Sequence, residues 1–149
     1  MRSVVQRVSR ASVSVEGRVV GNIGHGLLVF VGVAEGDEAA DIDYTASKIR
    51  GLRIFGDDQG RMNRSVVEAG GAVLVISQFT LLGDVRKGRR PGFDAAASPA
   101  VARAAYEALI DRLRGAGLAV ETGVFQAHME IDLVNDGPVT ILIDSRRLF

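Results

Sequence analysis

The sequence predicts a mixed α/β fold: a largely antiparallel sheet with two helices gathered on one side. Three observations carry this. The chain opens on alternating apolar and polar residues around a hairpin signal. Its middle holds two short, continuously apolar runs, each followed by a stretch of helical period. Its last third is strand-like. The order is two strands, strand and helix twice, then three strands, written β(2)-(βα)2-β(3).

Ser3 to Val8 and Ala11 to Glu16 alternate, and Glu16-Gly17-Arg18 sits where a hairpin turns into a strand from Val19 to Ile23. After His25-Gly26, residues Leu27 to Val33 are apolar at consecutive positions, the pattern of a central strand covered on both faces. Asp37 is placed to cap a helix over about 38–52, in which Ile42, Ala46, Ile49 and Leu52 recur at helical spacing. Ile54-Phe55, followed by Gly56 to Gly60, reads as a short strand and a turn. Gly70-Gly71 precedes a second buried strand, Ala72 to Ser77. Ser98 as cap and Pro99 at the first helical position open a helix through Val101, Ala105, Leu109, Ile110 and Leu113 that stops near Gly115 and Gly117. From Val120 onward three strand-like pieces follow, with Asn135-Asp136-Gly137-Pro138 marking the last turn and Val139 to Ile143 the last strand.

Composition bounds the function. With 149 residues, 47% of them apolar, the chain is expected to form one domain over 1–149, burying about two-thirds of its surface without staples. Cys is absent, which removes disulfides, thiolate metal sites and cysteine nucleophiles and suits a reducing cytoplasm. Residues 1–7 build no apolar signal core, and the run from Leu27 to Val33 is too short to cross a bilayer, so neither export nor a membrane is expected. Eighteen basic against eighteen acidic side chains leave no net charge, unlike domains that hold nucleic acid by global electrostatics. Arg86, Lys87, Arg89 and Arg90 nevertheless form a basic block beside Asp84; by itself such a run is an ordinary solvated face.

Catalytic groups are scarce. The two histidines, His25 and His128, show no metal-ligand spacing and no evident serine partner, and the glycines fit neither a P-loop nor a dinucleotide fingerprint, so no metal and no cofactor are expected. Two places stand out. Ser77-Gln78-Phe79-Thr80-Leu81 ends a buried strand abruptly in hydrogen-bonding side chains and leads into the basic block; strand C-termini are where binding crevices form. Asn135-Asp136-Gly137-Pro138-Val139-Thr140 is a tight turn whose proline removes a backbone donor. Each has a plain reading, a strand running out to a surface edge and a bare turn.

Taken together these two segments resemble the signature motifs of the D-aminoacyl-tRNA deacylases. Gln6-Arg7-Val8 with Ala11-Ser12-Val13, Gly70-Gly71, Arg90-Pro91 with Phe93, and Ala97-Ser98-Pro99 extend the likeness over nearly the whole chain. The resemblance implies a three-layer sheet/sheet/helix fold with a partly open barrel. It also implies a homodimeric cytoplasmic hydrolase that cleaves the ester between a D-amino acid and the terminal adenosine of tRNA. Gln78, Phe79 and Thr80 become the expected catalytic segment, with the Phe79 and Thr80 amides stabilising the oxyanion and the substrate's ribose 2'-hydroxyl helping to activate water. Thr80 is the one hydroxyl there that could act directly as nucleophile or proton relay, but no base is apparent beside it. Gly137 and Pro138, joined by a cis bond and reaching the partner's site, together with Ser77, bind substrate and reject L-aminoacyl esters sterically, which leaves glycyl-tRNA admitted. Arg7 braces the site, or the Gly137-Pro138 turn across the dimer. On this reading the basic block serves the tRNA backbone. The rival from another class is a non-catalytic RNA-binding module built on residues 86–90.

Overall fold

The computed structural model describes residues 1–149. Its elements are β1 (Arg2–Val15), β2 (Arg18–Ile23), β3 (Gly26–Gly32), α1 (Ala39–Gly51), β4 (Phe55–Gly56), β5 (Met62–Arg64), β6 (Ala72–Ser77), a 3-10 turn (Phe79–Leu82), α2 (Pro99–Gly115), β7 (Val120–Thr122) and β8 (Glu130–Asp144). One sheet has six strands. β8 runs antiparallel along one edge of β1, while the other edge pairs first with β3 and then with β2, both antiparallel. Parallel pairing continues the sheet from β3 to β6 and from β6 to β7. The sheet curls until β2 lies against β7, where a Cβ on Gly21 would stand 2.8 Å from the Thr122 carbonyl oxygen. The result is the expected mixed architecture with a nearly closed barrel.

The continuous apolar runs follow from two cores. Along β3, Leu27, Val29 and Val31 face the helices while Leu28 faces the barrel interior, and along β6 Val73 and Val75 face one core while Leu74 and Ile76 face the other. A strand with period-two side chains between two apolar layers has no polar face to display. Ile42 and Ile49 of α1 and Tyr106, Leu109, Ile110 and Leu113 of α2 cover the helix-side core, which yields the three layers. Val101, in the first turn of α2, is half exposed.

Four local features differ from the sequence reading. Ser3–Val8 and Ala11–Val15 fall within the one long strand β1, whose register against β8 slips near Val8, and Glu16 already belongs to the turn. β-Bulges bend a strand without ending it, so one strand serves two neighbours. Asp37 does not cap α1. Its carboxylate, wholly buried, accepts the Ala34 N–H at 2.7 Å and the Met1 ammonium at 2.7 Å. The helix opens instead at Glu38, whose N–H donates to Asp41 Oδ2 at 2.8 Å; this bond, with one from Ser145, holds the Asp41 carboxyl below its ordinary range. The short strand read at Ile54-Phe55 forms one residue later, at Phe55-Gly56, and gains a partner strand, β5, that alternation over three residues cannot reveal.

The fourth difference matters most. Residues 135–138 do not reverse the chain, because β8 pairs with β1 on both sides of them. Asn135 faces Val8 and Thr140 faces Gln6, so five steps along β8 are set against two along β1, and the surplus, Asp136, Gly137 and Pro138, stands out from the sheet as an exposed bulge. The two strand-like pieces flanking this segment are one strand.

Close approach between β3 and β6 requires a bare backbone at Gly26, where a Cβ would lie 1.9 Å from the Ala72 carbonyl oxygen. Gly26→Ala is expected to lower stability by about 3 kcal/mol or more, read as a shifted urea midpoint with unchanged slope. Gly24→Ala, which meets nothing within 4 Å, is the near-neutral control.

Candidate active site at the end of strand β6

The last β3–β6 pair joins Val31 and Ser77, and the Gln78 N–H then donates to the Val31 carbonyl at 2.7 Å. After that bond the chain folds into the 3-10 turn, with Leu81 N–H donating to the Gln78 carbonyl at 3.3 Å and Gly83 N–H to the Thr80 carbonyl at 3.0 Å. Gly32 makes room for it: a Cβ there would lie 2.8 Å from the Gln78 carbonyl oxygen and 2.5 Å from Leu82. Phe79 and Thr80 begin the turn, and the first amides of such a turn have no partner inside it. Gln78 Nε2 donates to Thr80 Oγ1. Phe79 is 56% exposed and meets Phe93 edge to face at 5.1 Å.

These residues form one wall of a cavity of about 750 Å³. A second wall is the start of α2 with the segment before it, Ala96 to Pro99 and Ala102, and the third is residues 125–129. No Asp, Glu, Lys or Arg lines the cavity, and His128 is its one ionisable side chain. Nor does any group of three His, Asp or Glu side chains converge anywhere in the chain to hold a metal ion. The arrangement can present backbone donors, amides and hydroxyls to a neutral polar ligand; Thr80 Oγ1 has Gln78, and no base, as its partner.

Sequence reasoning missed the third wall. Its trace in the sequence is Gly123, where a Cβ would lie 2.5 Å from the Met129 sulfur and 3.1 Å from Ile76 Cδ1, so that the wall folds closely over the end of β6. Gln126, on this wall, has a positive φ of 66°. A non-glycine residue in that region is held by its surroundings and is found preferentially at functional sites.

Gly137 and Pro138 lie elsewhere. Their peptide bond is cis, and they border a second cavity, of about 540 Å³, with Arg7, His25 and Arg64. The two cavities share no residue, so the two motifs do not meet within one chain. Arg7 braces the bulge of its own chain: Nε donates to the Asp136 carbonyl at 3.2 Å and pairs with Asp136 Oδ2 at 3.2 Å, while another guanidinium nitrogen donates to the Ile54 carbonyl. Asn135 closes the base of the bulge, donating to the carbonyls of Arg7 at 3.2 Å and Val139 at 3.0 Å.

The basic block forms an exposed loop closed by paired backbone bonds between Asp84 and Gly92. Its four cations are not equivalent. Arg86 is gripped by Asp84, with contacts of 2.9 Å and 2.6 Å from the guanidinium and 2.9 Å from its backbone N–H, which pull the Asp84 carboxyl down to about 2. A carboxyl depressed in this way stays ionised from its ordinary range upward and lets go only as the pH falls through about 2. Lys87, Arg89 and Arg90 are exposed, and Arg86 alone of the four is ion-paired.

A family model described as D-Tyr-tRNA(Tyr) deacylase matches residues 4–144. Over the whole chain the sequence is 64% identical to the D-aminoacyl-tRNA deacylase of Anaeromyxobacter dehalogenans, covering 100% of that protein, and 62% identical to that of Symbiobacterium thermophilum, covering 99%. Among solved structures, the c-Myc DNA unwinding element binding protein superposes with a TM-score of 0.91 at 37% identity, over 97% of this chain and 98% of that one. A probable eukaryotic D-amino acid tRNA deacylase shares the fold at 20% identity, with a TM-score of 0.79 over 95% of this chain and 97% of that one. No helix is long and apolar enough to cross a membrane. The chain belongs to the D-aminoacyl-tRNA deacylases, hydrolases of the ester bond that joins an amino acid to tRNA.

Proposed function

We propose that residues 1–149 act as one cytoplasmic deacylase domain that works as a homodimer, the Gly137-Pro138 bulge of one copy entering the substrate cavity of the other. One observation carries the reading: the two motifs line separate cavities of the same chain, and the bulge projects outward. A second supports it. The accessible surface is 8402 Å², against about 7,300 Å² for a monomer of 15.8 kDa by the usual scaling, and half-exposed apolar side chains such as Val134 and Leu142 lie along β8.

In that cavity the chemistry is positional. The Phe79 and Thr80 amides face the ester carbonyl and stabilise the developing oxyanion, because fixed donors in a poorly hydrated cleft need no reorganisation as charge builds. Gln78 and Ser77 hold the rim, and the Gly137 and Pro138 carbonyls of the partner take the α-ammonium. With two substituents of the α-carbon fixed, an L side chain would point into main chain that cannot yield, whereas a D side chain leaves toward solvent. Glycine meets no obstacle. The ribose 2'-hydroxyl of the substrate helps to activate the water, in keeping with the lack of carboxylates along the cavity.

The deciding experiment is a panel of aminoacyl-tRNAs followed for release of amino acid. D-tyrosyl and glycyl esters should be hydrolysed and L-tyrosyl esters spared. Cleavage of the D ester with glycyl esters left intact across several tRNAs would mean that the D side chain is recognised positively, and simple rejection of L would be wrong.

Thr80→Ala separates positioning from covalent catalysis. Loss of one hydrogen-bonding hydroxyl should lower kcat by roughly five- to 150-fold, about 1 to 3 kcal/mol. Loss of a nucleophile would remove nearly all turnover. Full-speed hydrolysis of a substrate ending in 2'-deoxyadenosine would exclude the 2'-hydroxyl.

The loop carries tRNA phosphates through Lys87, Arg89 and Arg90, since Arg86 is engaged by Asp84. Changing those three to Gln should reduce the slope of log affinity against log salt by roughly 2 to 3, whereas Arg86→Gln should change it little. An unchanged slope in the triple variant would make the loop an ordinary solvated face. The second reading, a nucleic-acid-binding module without catalysis, draws on the likeness to the c-Myc DNA unwinding element binding protein. It predicts retained tRNA with no release above spontaneous hydrolysis.

A further inference from the structure

The ladder between β6 and β7 opens at a single point. Val75 pairs with Thr122, and the next bond, from the Gly123 N–H to the Val75 carbonyl, is stretched to 3.4 Å. Beyond it the two chains part: residues 76–80 become one wall of the cavity and residues 125–129 the opposite one. The fork at Val75 is thus the place where the two walls begin to separate.

Tyr106 of α2 stands in the fork. Its buried hydroxyl donates to the same Val75 carbonyl at 2.7 Å, holding the branch that leads to Ser77. Its ring centroid lies 5.9 Å from that of Phe125, on the other branch, and the Arg103 guanidinium sits 4.6 Å from the Phe125 ring centroid. Ala102, one turn before Tyr106, lines the cavity's remaining side, so a single helix touches all three walls. Burial pushes the Tyr106 phenol far above its ordinary range, which keeps it a neutral donor at any working pH.

We propose that Tyr106 is a positioning residue that sets the separation of the Ser77–Thr80 and Phe125–Met129 walls, and through it the alignment of the ester carbonyl with the Phe79 and Thr80 amides, without itself touching substrate. The proposal rests on the deacylase reading of this cavity. It differs from an ordinary core hydrogen bond in what it predicts. A bond that only stabilises lowers the melting temperature and leaves the folded enzyme's turnover intact. A spacer moves reacting groups, and a displacement on the order of 1 Å can cost about a hundredfold in rate.

The test uses the full chain with D-tyrosyl-tRNA, well below the melting temperature of every variant. Tyr106→Phe keeps the ring and deletes the donor, and Phe125→Leu removes the ring on the other branch. Each should lower kcat about tenfold, with KM within about twofold of the starting protein. The double variant should lose little more than either single one, because both break the same spacer. Amide hydrogen exchange in Tyr106→Phe should quicken within residues 76–80 and 123–129 and stay unchanged elsewhere. Unaltered kcat, multiplicative losses in the double variant, or exchange unchanged in both segments would each overturn the assignment. The unsubstituted chain reports on the deacylase reading separately: if it releases no amino acid that reading fails, and the exchange pattern still decides whether Tyr106 spaces the walls.

Discussion

The parallel ladder between β3 and β6 is the interaction on which the rest of this structure depends. Both strands are buried on both faces, so every backbone N–H and C=O in them must find a partner in the sheet. That requirement ends at Val31 and Ser77. The Gln78 N–H takes the last carbonyl of the ladder, and the Phe79 and Thr80 amides that follow have no strand to receive them. A group of unpaired donors therefore appears where the buried ladder stops, at the mouth of a cavity floored by both cores. Gly26 and Gly32 are the positions at which this packing allows no side chain.

The second motif has a different origin. β1 and β8 pair along nearly their whole length, and an excess of three residues on one strand of an antiparallel pair cannot be absorbed by twist, so it is expelled as a bulge. Asn135 ties off its base and Arg7 braces its flank, which makes a short loop with little freedom. The bulge is exposed and shares no cavity with the end of β6 in its own chain. On the proposed reading it completes the cavity of a second copy, and the site is divided between a donor-rich strand end and an acceptor-rich bulge.

Such a site needs few ionisable groups. One histidine lines the cavity, and the ion pair of Asp84 with Arg86 lies within the basic loop, outside the cavity lining. Rate enhancement by fixed backbone dipoles depends on geometry more than on proton inventory. On the proposed reading this is why Tyr106, at the fork and outside both motifs, bears on the chemistry without offering any reactive atom.

Much of this was legible in the sequence. The two buried strands, both helices to within a residue or two, the mixed architecture and the strand end at Ser77 to Leu81 follow from period and composition, which report on local burial and survive in any context. Asp37 and Asn135–Pro138 misled for the same reason as each other. An aspartate before a helix and an Asn-Asp-Gly-Pro run carry strong local signals, and tertiary partners overrode both: a buried ammonium claimed the first, and pairing with β1 on both flanks turned the second from a reversal into a bulge. The wall at 125–129, the separation of the two motifs and the fork at Val75 lay beyond the sequence altogether. They depend on which strands become neighbours and in what register, and pairings between distant segments leave no periodic trace in either one.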